Sequence, residues 1–584
     1  MTKSNVKNQA TNSGLVRFLP IVGWLPNYDR SWLKSDIIAG LSVWGLTVPT
    51  ALGYATISGV PVQYGLYAAA LGLIFFALFT TSRQATAGPG SSTSAVLGAG
   101  VLGMAVAGSN EAIALSASIV MVAGVLYLFM YLFKMGWISQ FLSATVLTRF
   151  TFGVAINVAA GELFKITGTE KAGANGWQKL WTWVTTLDEA NMATLVVGVL
   201  ALVLVFGVKF FAPKVPGALV AVILGIAATM IFGLGELGVA LVAPVPRGIP
   251  SFVLPNLSLI MDNLPLVVGT AVGLLLVGFS LSTATVRNNA TKHNFKVDIN
   301  QELLAQGMSN LSSALFQGIF NNASISKSPV NDDAGAKSQV SNLAQAGFII
   351  LTLIFLAPLF SALPVAVLGA ILIQAVVMGM MDVAEMKRLY KVKRFEFLIA
   401  LIALLGVVTF GILQGVFLGV LLSLTWLIAV AARPYIPELG RKPGTHAFFD
   451  LNSHPEGETY PGLSIIRFDG SIFFANADAL ADRLRQIRVD QEHELTGVII
   501  SMEGVNFIDT EGADALKEIA EAGIALNIDL HLARVKPQVL AVLQRDGVLD
   551  LIGTEHIHDD IVTAVNHHLS KHPVDKALTK ENRT

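Results

Sequence analysis

Long stretches of this sequence contain no Asp, Glu, Lys or Arg, among them Ile37–Ser82, Gln84–Asn110, Ala112–Phe133, Ser338–Met381 and Leu398–Ala432. A membrane-spanning helix needs about 20 apolar residues, so the longest of these runs hold two spans each. The chain therefore reads as a polytopic membrane protein. Only 14% of its 584 residues are charged and 53% are apolar, against roughly 25% charged in soluble domains. The net charge of −1 averages over two very different regions and points to no partner, nucleic acid included. With no cysteine in the chain, disulfides and thiolate metal sites are excluded.

Charge density changes near Arg433. The stretch 435–459 is rich in proline, glycine and charge and reads as a linker. Beyond it, short β-branched runs such as "TGVIISMEGVNFID" alternate with amphipathic helical ones such as "GADALKEIAEAGIALNIDL". That alternation is the pattern of a small α/β domain. The expected organisation is an N-terminal cytoplasmic segment (1–33), a transmembrane transport domain (34–434), the linker, a soluble α/β domain (460–570) and a disordered tail (571–584). The opening "MTKSNVKNQATNSG" has no basic, apolar and cleavage regions in succession, so no cleaved signal peptide is expected.

Basic residues set the orientation. They gather at Arg83, Lys134, Arg149, Lys209 and Lys214, across Arg287–Lys296 and across Lys387–Arg394, while the connections near 59–63, 106–111, 357–363 and 411–415 have none. Cytoplasmic loops carry the basic excess, so the first set faces inward. Lys165, Lys171 and Lys179 run against this assignment, because their loop then lies outside. An even number of crossings, about fourteen with two of them short, puts both termini in the cytoplasm of a cell with the protein in its plasma (inner) membrane.

The two short elements carry the functional signal. "AGPGSSTSAVLGAGVLG" places Pro89 near a helix start, where a missing N–H costs nothing. Ser91, Ser92, Thr93 and Ser94 then bring hydroxyls to the free N–H groups of the first turn. "FNNASISKSPVNDDAGAKS" repeats the idea in the other half of the chain, with Pro329 in the corresponding place. Paired interrupted helices are a sequence pointer to a transporter's midplane site. Two helix N-termini, each worth about half a positive charge, select an anion. A nucleotide phosphate loop does not fit, since no GK[ST] follows the glycines. "GAGVLG" (Gly98–Gly103) matches a dinucleotide fingerprint, but no strand precedes it, and small residues for close helix packing explain it better.

Four segments carry a specific resemblance: "DIIAGLSVWGLTVPTALGYATISGVPVQYGLYAA" (Asp36–Ala69), "TSRQATAGP" (Thr81–Pro89), "VDINQELLAQGMSNLSSALFQG" (Val297–Gly318) and "SISKSPVNDDAGAKSQ" (Ser324–Gln339). In this order they resemble the sulfate permease (SulP) family of anion transporters, and the C-terminal region resembles the STAS domain those proteins carry. The resemblance implies an all-α membrane domain of two inverted seven-helix repeats, a cytoplasmic α/β STAS domain and a homodimer in the lipid bilayer. It also implies a site where the third and tenth transmembrane helices meet, beside the first. Gly90, Ser91 and Ser92 then form one pole and Ser324, Ser326 and Lys327 the other, with Thr50 and Tyr54 lining the pocket. Thr50 replaces a commoner glutamine; its hydroxyl keeps one donor with a shorter reach.

The eighth helix departs further. Relatives have an acid there that is thought to serve cation coupling, whereas Leu281 or an adjacent serine occupies the place here, and no acid lies between Asp262 and Asp298. Uniport or exchange is then favoured over symport. Glu162, which ends the fifth apolar span, reads either as an interfacial residue or as the coupling group. For Lys327 the alternative is a loop lysine paired with Asp332 or Asp333. In the STAS-like region, "NFIDTEGADAL" keeps Asp509 and Thr510, but Glu511 stands where a phosphorylated hydroxyl is usual, giving a permanently capped helix. His556, His558, His567 and His568 offer metal-ligand chemistry, yet the reading places them on a solvated surface. No metal, cofactor or catalytic residue is expected, and the chain is not read as an enzyme. The substrate is a small anion, sulfate-class most of all, with bicarbonate, chloride and dicarboxylates also suited. The competing function is a membrane-anchored anion sensor or scaffold signalling through STAS, with a channel-like uniporter as a variant of transport.

Overall fold

A computed structural model describes residues 18–140, 144–212, 215–490 and 494–573. The chain divides into two compact units, Met1–Leu422 and Ser423–Thr584. Lys214, used above for orientation, and the tail beyond Pro573 lie outside the described residues.

Among the described residues fourteen helices form the main series, most of them on charge-free runs, and the last crosses the Leu422–Ser423 division. They are α1 (Leu33–Ile57), α2 (Gln63–Phe79), α3 (Ser91–Leu102), α4 (Asn110–Leu132), α5 (Ala144–Thr167), α6 (Met192–Phe211), α7 (Gly217–Phe232), α8 (Leu264–His293), α9 (Ile299–Leu315), α10 (Lys327–Asp333), α11 (Val340–Leu351), α12 (Val365–Met380), α13 (Arg394–Phe410) and α14 (Ile412–Ala431). Amphipathic helices Gly176–Thr185 and Val383–Val392 lie between spans. Polar side chains start several spans by accepting first-turn N–H groups: Ser109 from Ala112 (3.1 Å), Asn191 from Thr194 (2.8 Å) and Asp298 from Asn300 (2.9 Å). α7 ends at Gly233 in the left-handed region (φ 61°).

Packing sorts these helices into two groups. α9 packs on α4 and α2, α11 on α1 and α2, and α8 on α4 and α3, while α12 and α13 pack on α5. One apolar core runs through Val96, Ile119, Tyr127, Leu274 and Phe320, and a second through Leu52, Leu66, Val222, Ile349 and Leu368. The "GAGVLG" glycines serve close approach: a Cβ on Gly98 would lie 2.0 Å from the Ile57 carbonyl oxygen. That contact seats α3 against the end of α1, as small-residue packing predicts.

Each short element is preceded by a strand, and the two strands pair. β1 (Ala87–Pro89) runs antiparallel to β2 (Asn321–Ala323), with Gly88 opposite Asn322. Open backbone at membrane depth needs internal partners. Here each broken segment supplies them to the other, across more than two hundred residues of chain.

The second unit has a four-stranded parallel sheet, ordered β5 (Leu463–Arg467), β6 (Gly497–Ser501), β7 (Asp529–Ala533), β8 (Ile557–His558). Helices α15 (Ala477–Asp490), α16 (Thr510–Leu526), α17 (Pro537–Arg545), α18 (Val548–Ile552) and α19 (Ile561–Lys571) complete it. The expected linker 435–459 is corrected here. Its Pro–Gly punctuation makes a hairpin, β3 (Leu439–Arg441) against β4 (Phe448–Asp450), with Gly444 at φ 72° in the turn. Glu438 also bridges to Ile466 in β5, so the hairpin belongs to the α/β unit.

Candidate functional site

Beside the paired strands lies a buried lysine side chain. Lys327 opens α10, is 1% exposed, and donates from Nζ to the Pro89 carbonyl oxygen at 2.9 Å. The same Nζ lies 5.8 Å from the centroid of the Tyr54 ring, within cation–π range. Among the described residues no carboxylate pairs with it. Asp332 and Asp333, the alternative partners, are taken by Lys292 (2.6 and 3.5 Å) and His293 (2.7 Å to Asp332). An ammonium has three donors, and Pro89 uses one of them.

The opposite pole is the start of α3. Gly90 precedes it in extended backbone and offers no side-chain cap, and the first intrahelical bond runs from Ser94 N to Gly90 O (2.9 Å). The N–H groups of Ser91, Ser92 and Thr93 precede that bond and have no place in the helix ladder. A Cβ on Gly90 would stand 2.7 Å from Asn322 Oδ1, so a larger residue has to shift that side chain, which accepts from Thr93 Oγ1 at 3.1 Å. Tyr54 reaches this pole, its hydroxyl interacting with the Ser91 side chain. Thr50 lies one turn earlier on α1, but its hydroxyl donates to Leu46 O (2.8 Å), so its proton is spent within the helix.

The α10 pole is built differently from the expectation of two equal helix ends. α10 has seven residues, about two turns, and Ser324 Oγ accepts the Lys327 N–H at 3.2 Å. Ser324 thus caps the turn, with Ser326 Oγ 3.2 Å away and Ser326 exposed. A helix this short has little dipole; the Lys327 side chain supplies the charge.

Two buried carboxylates that sequence reasoning left without a role hold both poles. Asp36, in the first turn of α1, accepts from Lys337 N (2.6 Å), Ser338 N (3.2 Å), Ser338 Oγ (2.8 Å) and the Tyr28 hydroxyl (2.9 Å). Glu302, in the first turn of α9, accepts from Thr81 N (2.7 Å), Thr81 Oγ1 (2.6 Å) and Thr80 Oγ1 (2.8 Å). Each half of the chain clamps the loop beside the other half's broken helix. An acid at the edge of a charge-free run, in the first turn of its helix, was the available signal.

Leu281 is apolar as expected, packed on the core around Phe279. Its neighbour Ser282 accepts the Ala323 N–H at 3.0 Å, so α8 contributes an anchor for β2 rather than a charge. Glu162 is buried within the protein. It is 3% exposed, 2.7 Å from Lys165 Nζ, and lines a cavity of about 460 Å³ with Asn157, Lys171, Lys179 and the last turns of α3. Lys165 also donates to Thr56 Oγ1 on α1 (3.1 Å), and Lys179 to Asn157 Oδ1 (2.6 Å). The three lysines that ran against the orientation rule are therefore gathered around one carboxylate. In the α/β unit, Asp509 accepts from Gly512 N (2.8 Å) and Phe474 N (3.0 Å), Thr510 begins α16, and Glu511 lies exposed in its first turn.

Residues 33–403 match the sequence model of the Sulfate permease family, and residues 454–564 that of the STAS domain. A probable sulfate transporter of Mycobacterium tuberculosis is 29% identical over 550 residues, covering 93% of this chain and 98% of that protein. The chloroplastic sulfate transporter 4.1 of Arabidopsis thaliana is 29% identical over 590 residues, covering 97% and 85%. The murine Slc26a9 anion transporter in the inward-facing state shares the fold, with a TM-score of 0.87 at 22% identity over 97% of both chains.

Proposed function

Because this chain belongs to the sulfate permease family of anion transporters, we propose that it moves a small inorganic anion of the sulfate class by alternating access, with the anion held between the start of α3 and Lys327. Membership makes it a multi-pass membrane protein and a transporter rather than an enzyme. The observation that carries the site is Lys327: an ammonium buried to 1%, with no carboxylate beside it among the described residues. Such a charge at membrane depth is costly unless it meets water or an anion. Two ammonium protons, the unladdered N–H groups of Ser91–Thr93 and the hydroxyls of Ser92 and Ser326 form a donor-rich shell. That shell suits an oxyanion more than a cation or an apolar solute. The relatives named as sulfate transporters support the substrate class.

Exchange or uniport follows from Leu281, since α8 brings no acid to the site. We assign the basic loops, both termini and the STAS domain to the cytoplasm, the protein to the plasma membrane, and the assembly to a homodimer. The organisation 34–434 for transport and 460–570 for STAS is kept in this proposal, with 435–459 folded onto the latter. The decisive experiment is uptake of labelled sulfate into proteoliposomes, competed by bicarbonate, chloride and succinate. Saturable sulfate uptake inhibited by a subset of these anions supports the proposal. Substrate binding without any flux turns the reading to a sensor, and non-saturating current turns it to a channel.

A further inference from the structure

Six histidines converge at one edge of the α/β sheet, against the expectation of a solvated surface. His531 comes from β7, His556 and His558 from the segment entering and forming β8, and His567, His568 and His572 from α19 and its end. The His531 ring centroid lies 4.8 Å from that of His556, 5.3 Å from His558, and 5.6 Å from both His567 and His568. His531 is fully buried and His568 is 1% exposed. Sequence could not show this, because β7 is separated from the other five by a helical crossover.

Buried polar atoms in folded proteins are hydrogen-bonded, and exceptions call for a cause. Here His531 Nε2, His567 Nε2 and His568 Nδ1 are buried without a hydrogen-bond partner, though Asp529 Oδ2 stands 4.0 Å from His568 Nδ1. Their opposite nitrogens or neighbours are tied down. His531 Nδ1 is 3.2 Å from His558 Nε2, and His568 Nε2 is 3.2 Å from Thr496 Oγ1. His556 Nδ1 donates to the Ile552 carbonyl at 2.6 Å, which leaves its Nε2 with the lone pair, met by Lys571 Nζ at 3.3 Å, a cation the metal ion has to displace. A hydrogen bond on one ring nitrogen with the other left bare is how ligating imidazoles are oriented, and His531 has that arrangement. Neutral imidazole is the ligating form.

Asp529, at the start of β7, completes the set. One ligand atom each from Asp529, His531 and His556 lie within 4.8 Å of one another. Imidazole with carboxylate, and no thiolate in the chain, suits zinc, nickel or copper rather than calcium or magnesium. We propose that Asp529, His531 and His556 bind one divalent transition-metal ion of the zinc class, tying β7 to the segment that leads into β8. A second trio shares the carboxylate, whose Oδ2 lies 3.4 Å from His572 Nε2 and 4.0 Å from His568 Nδ1, and is the rival placement.

The test uses the full chain, purified in detergent through a tag without histidine and stripped with chelator. Cobalt(II) titration should produce visible ligand-field bands that saturate at one equivalent and are displaced by zinc. Zinc should bind with Kd of about 1 μM or tighter. His556→Gln and Asp529→Asn should each weaken zinc binding by tenfold or more, whereas His572→Gln should leave it within about twofold, the scale on which ligands and bystanders differ. Metal-free melting curves that match the parent chain show that the variants fold. No cobalt bands and no retained zinc overturn the proposal. So does loss of binding in His572→Gln with His556→Gln unaffected, which puts the ion in the rival trio.

Discussion

β1–α3 and β2–α10 hold the same rank in the two halves of the membrane unit, and their strands pair, yet they make positive potential in different ways. α3 is twelve residues long, and Gly90 leaves its first N–H groups uncapped. α10 is seven residues long and has its Lys327 N–H taken by Ser324. A dipole is the sum of aligned peptides, so the shorter helix contributes less. In the proposed site the Lys327 side chain takes the place of that missing field. One pole is therefore written in backbone and resists side-chain substitution; the other rests on a single residue.

The largest expected effect comes from removing that residue. At about 5 Å and an effective dielectric near 20, the ammonium attracts a monovalent anion by about 3 kcal/mol. Lys327→Gln should therefore weaken apparent anion affinity roughly a hundredfold, at about 1.4 kcal/mol per factor of ten. Arginine at 327 should keep affinity for oxyanions but disfavour halide, because its planar fork matches oxyanion geometry. Affinity is measured on purified, monodisperse protein. A loss below about threefold, or roughly 0.7 kcal/mol, would put the binding in the α3 pole alone and end the asymmetry.

Next in size are the crossed clamps. Glu302→Gln should loosen the Thr80–Thr81 loop beside β1, and Asp36→Asn the Lys337–Ser338 loop after α10. Each removes bonds to a charged acceptor, worth about 1.5–3 kcal/mol in stability. If the poles are supported symmetrically although charged asymmetrically, thermal stability should fall by similar amounts in both variants. A deficit confined to Glu302→Gln would show that only the backbone-built pole needs its clamp.

Tyr54 touches both poles, and its variants separate them. Tyr54→Leu loses the cation–π contact with Lys327, about 1–2 kcal/mol for a desolvated pair, and should weaken affinity roughly five- to thirtyfold. Tyr54→Phe keeps the ring and loses only the hydroxyl toward Ser91, so its effect should stay near threefold, under about 1 kcal/mol. Equal effects of the two would mean that the hydroxyl, and hence the α3 pole, carries the contribution of Tyr54.

What the sequence made legible tracks how local each feature is. Charge-free runs announced the spans, and the paired Gly–Ser and Asn–Ser breaks announced the site, because each signal lies within one segment. Lys327 stood out as a cation closing a run without charge. The pairing of β1 with β2 was not legible, since three-residue strands in different halves leave no periodicity to read. Nor were the roles of Asp36 and Glu302. An acid in a helix's first turn looks like a dipole complement until its partner, more than two hundred residues away, is known. The hairpin at 439–450 and the histidine edge of the α/β sheet hid for the same reason, as their partners come from other strands.

The smallest expected effect is none at all: sulfate uptake at fixed membrane potential should not change when a sodium or proton gradient is added or removed. A coupling cation needs a carboxylate that can alternate between bound and free states. The acids fully buried in the membrane unit, among the described residues, are Asp36, Glu162 and Glu302. Asp36 and Glu302 are each saturated by donors from loops and hold structure in place. Leu281 and Ser282 leave α8 without an acid, and Ser282 is occupied with β2. Glu162 remains, but Lys165 neutralises it at 2.7 Å, which removes the net charge a cation would seek. Uptake is measured with each gradient imposed and collapsed in turn. Strict dependence on either cation would sink the claim for exchange or uniport, and Glu162→Gln would then show whether the cavity beside α3, rather than either pole, holds the coupling ion.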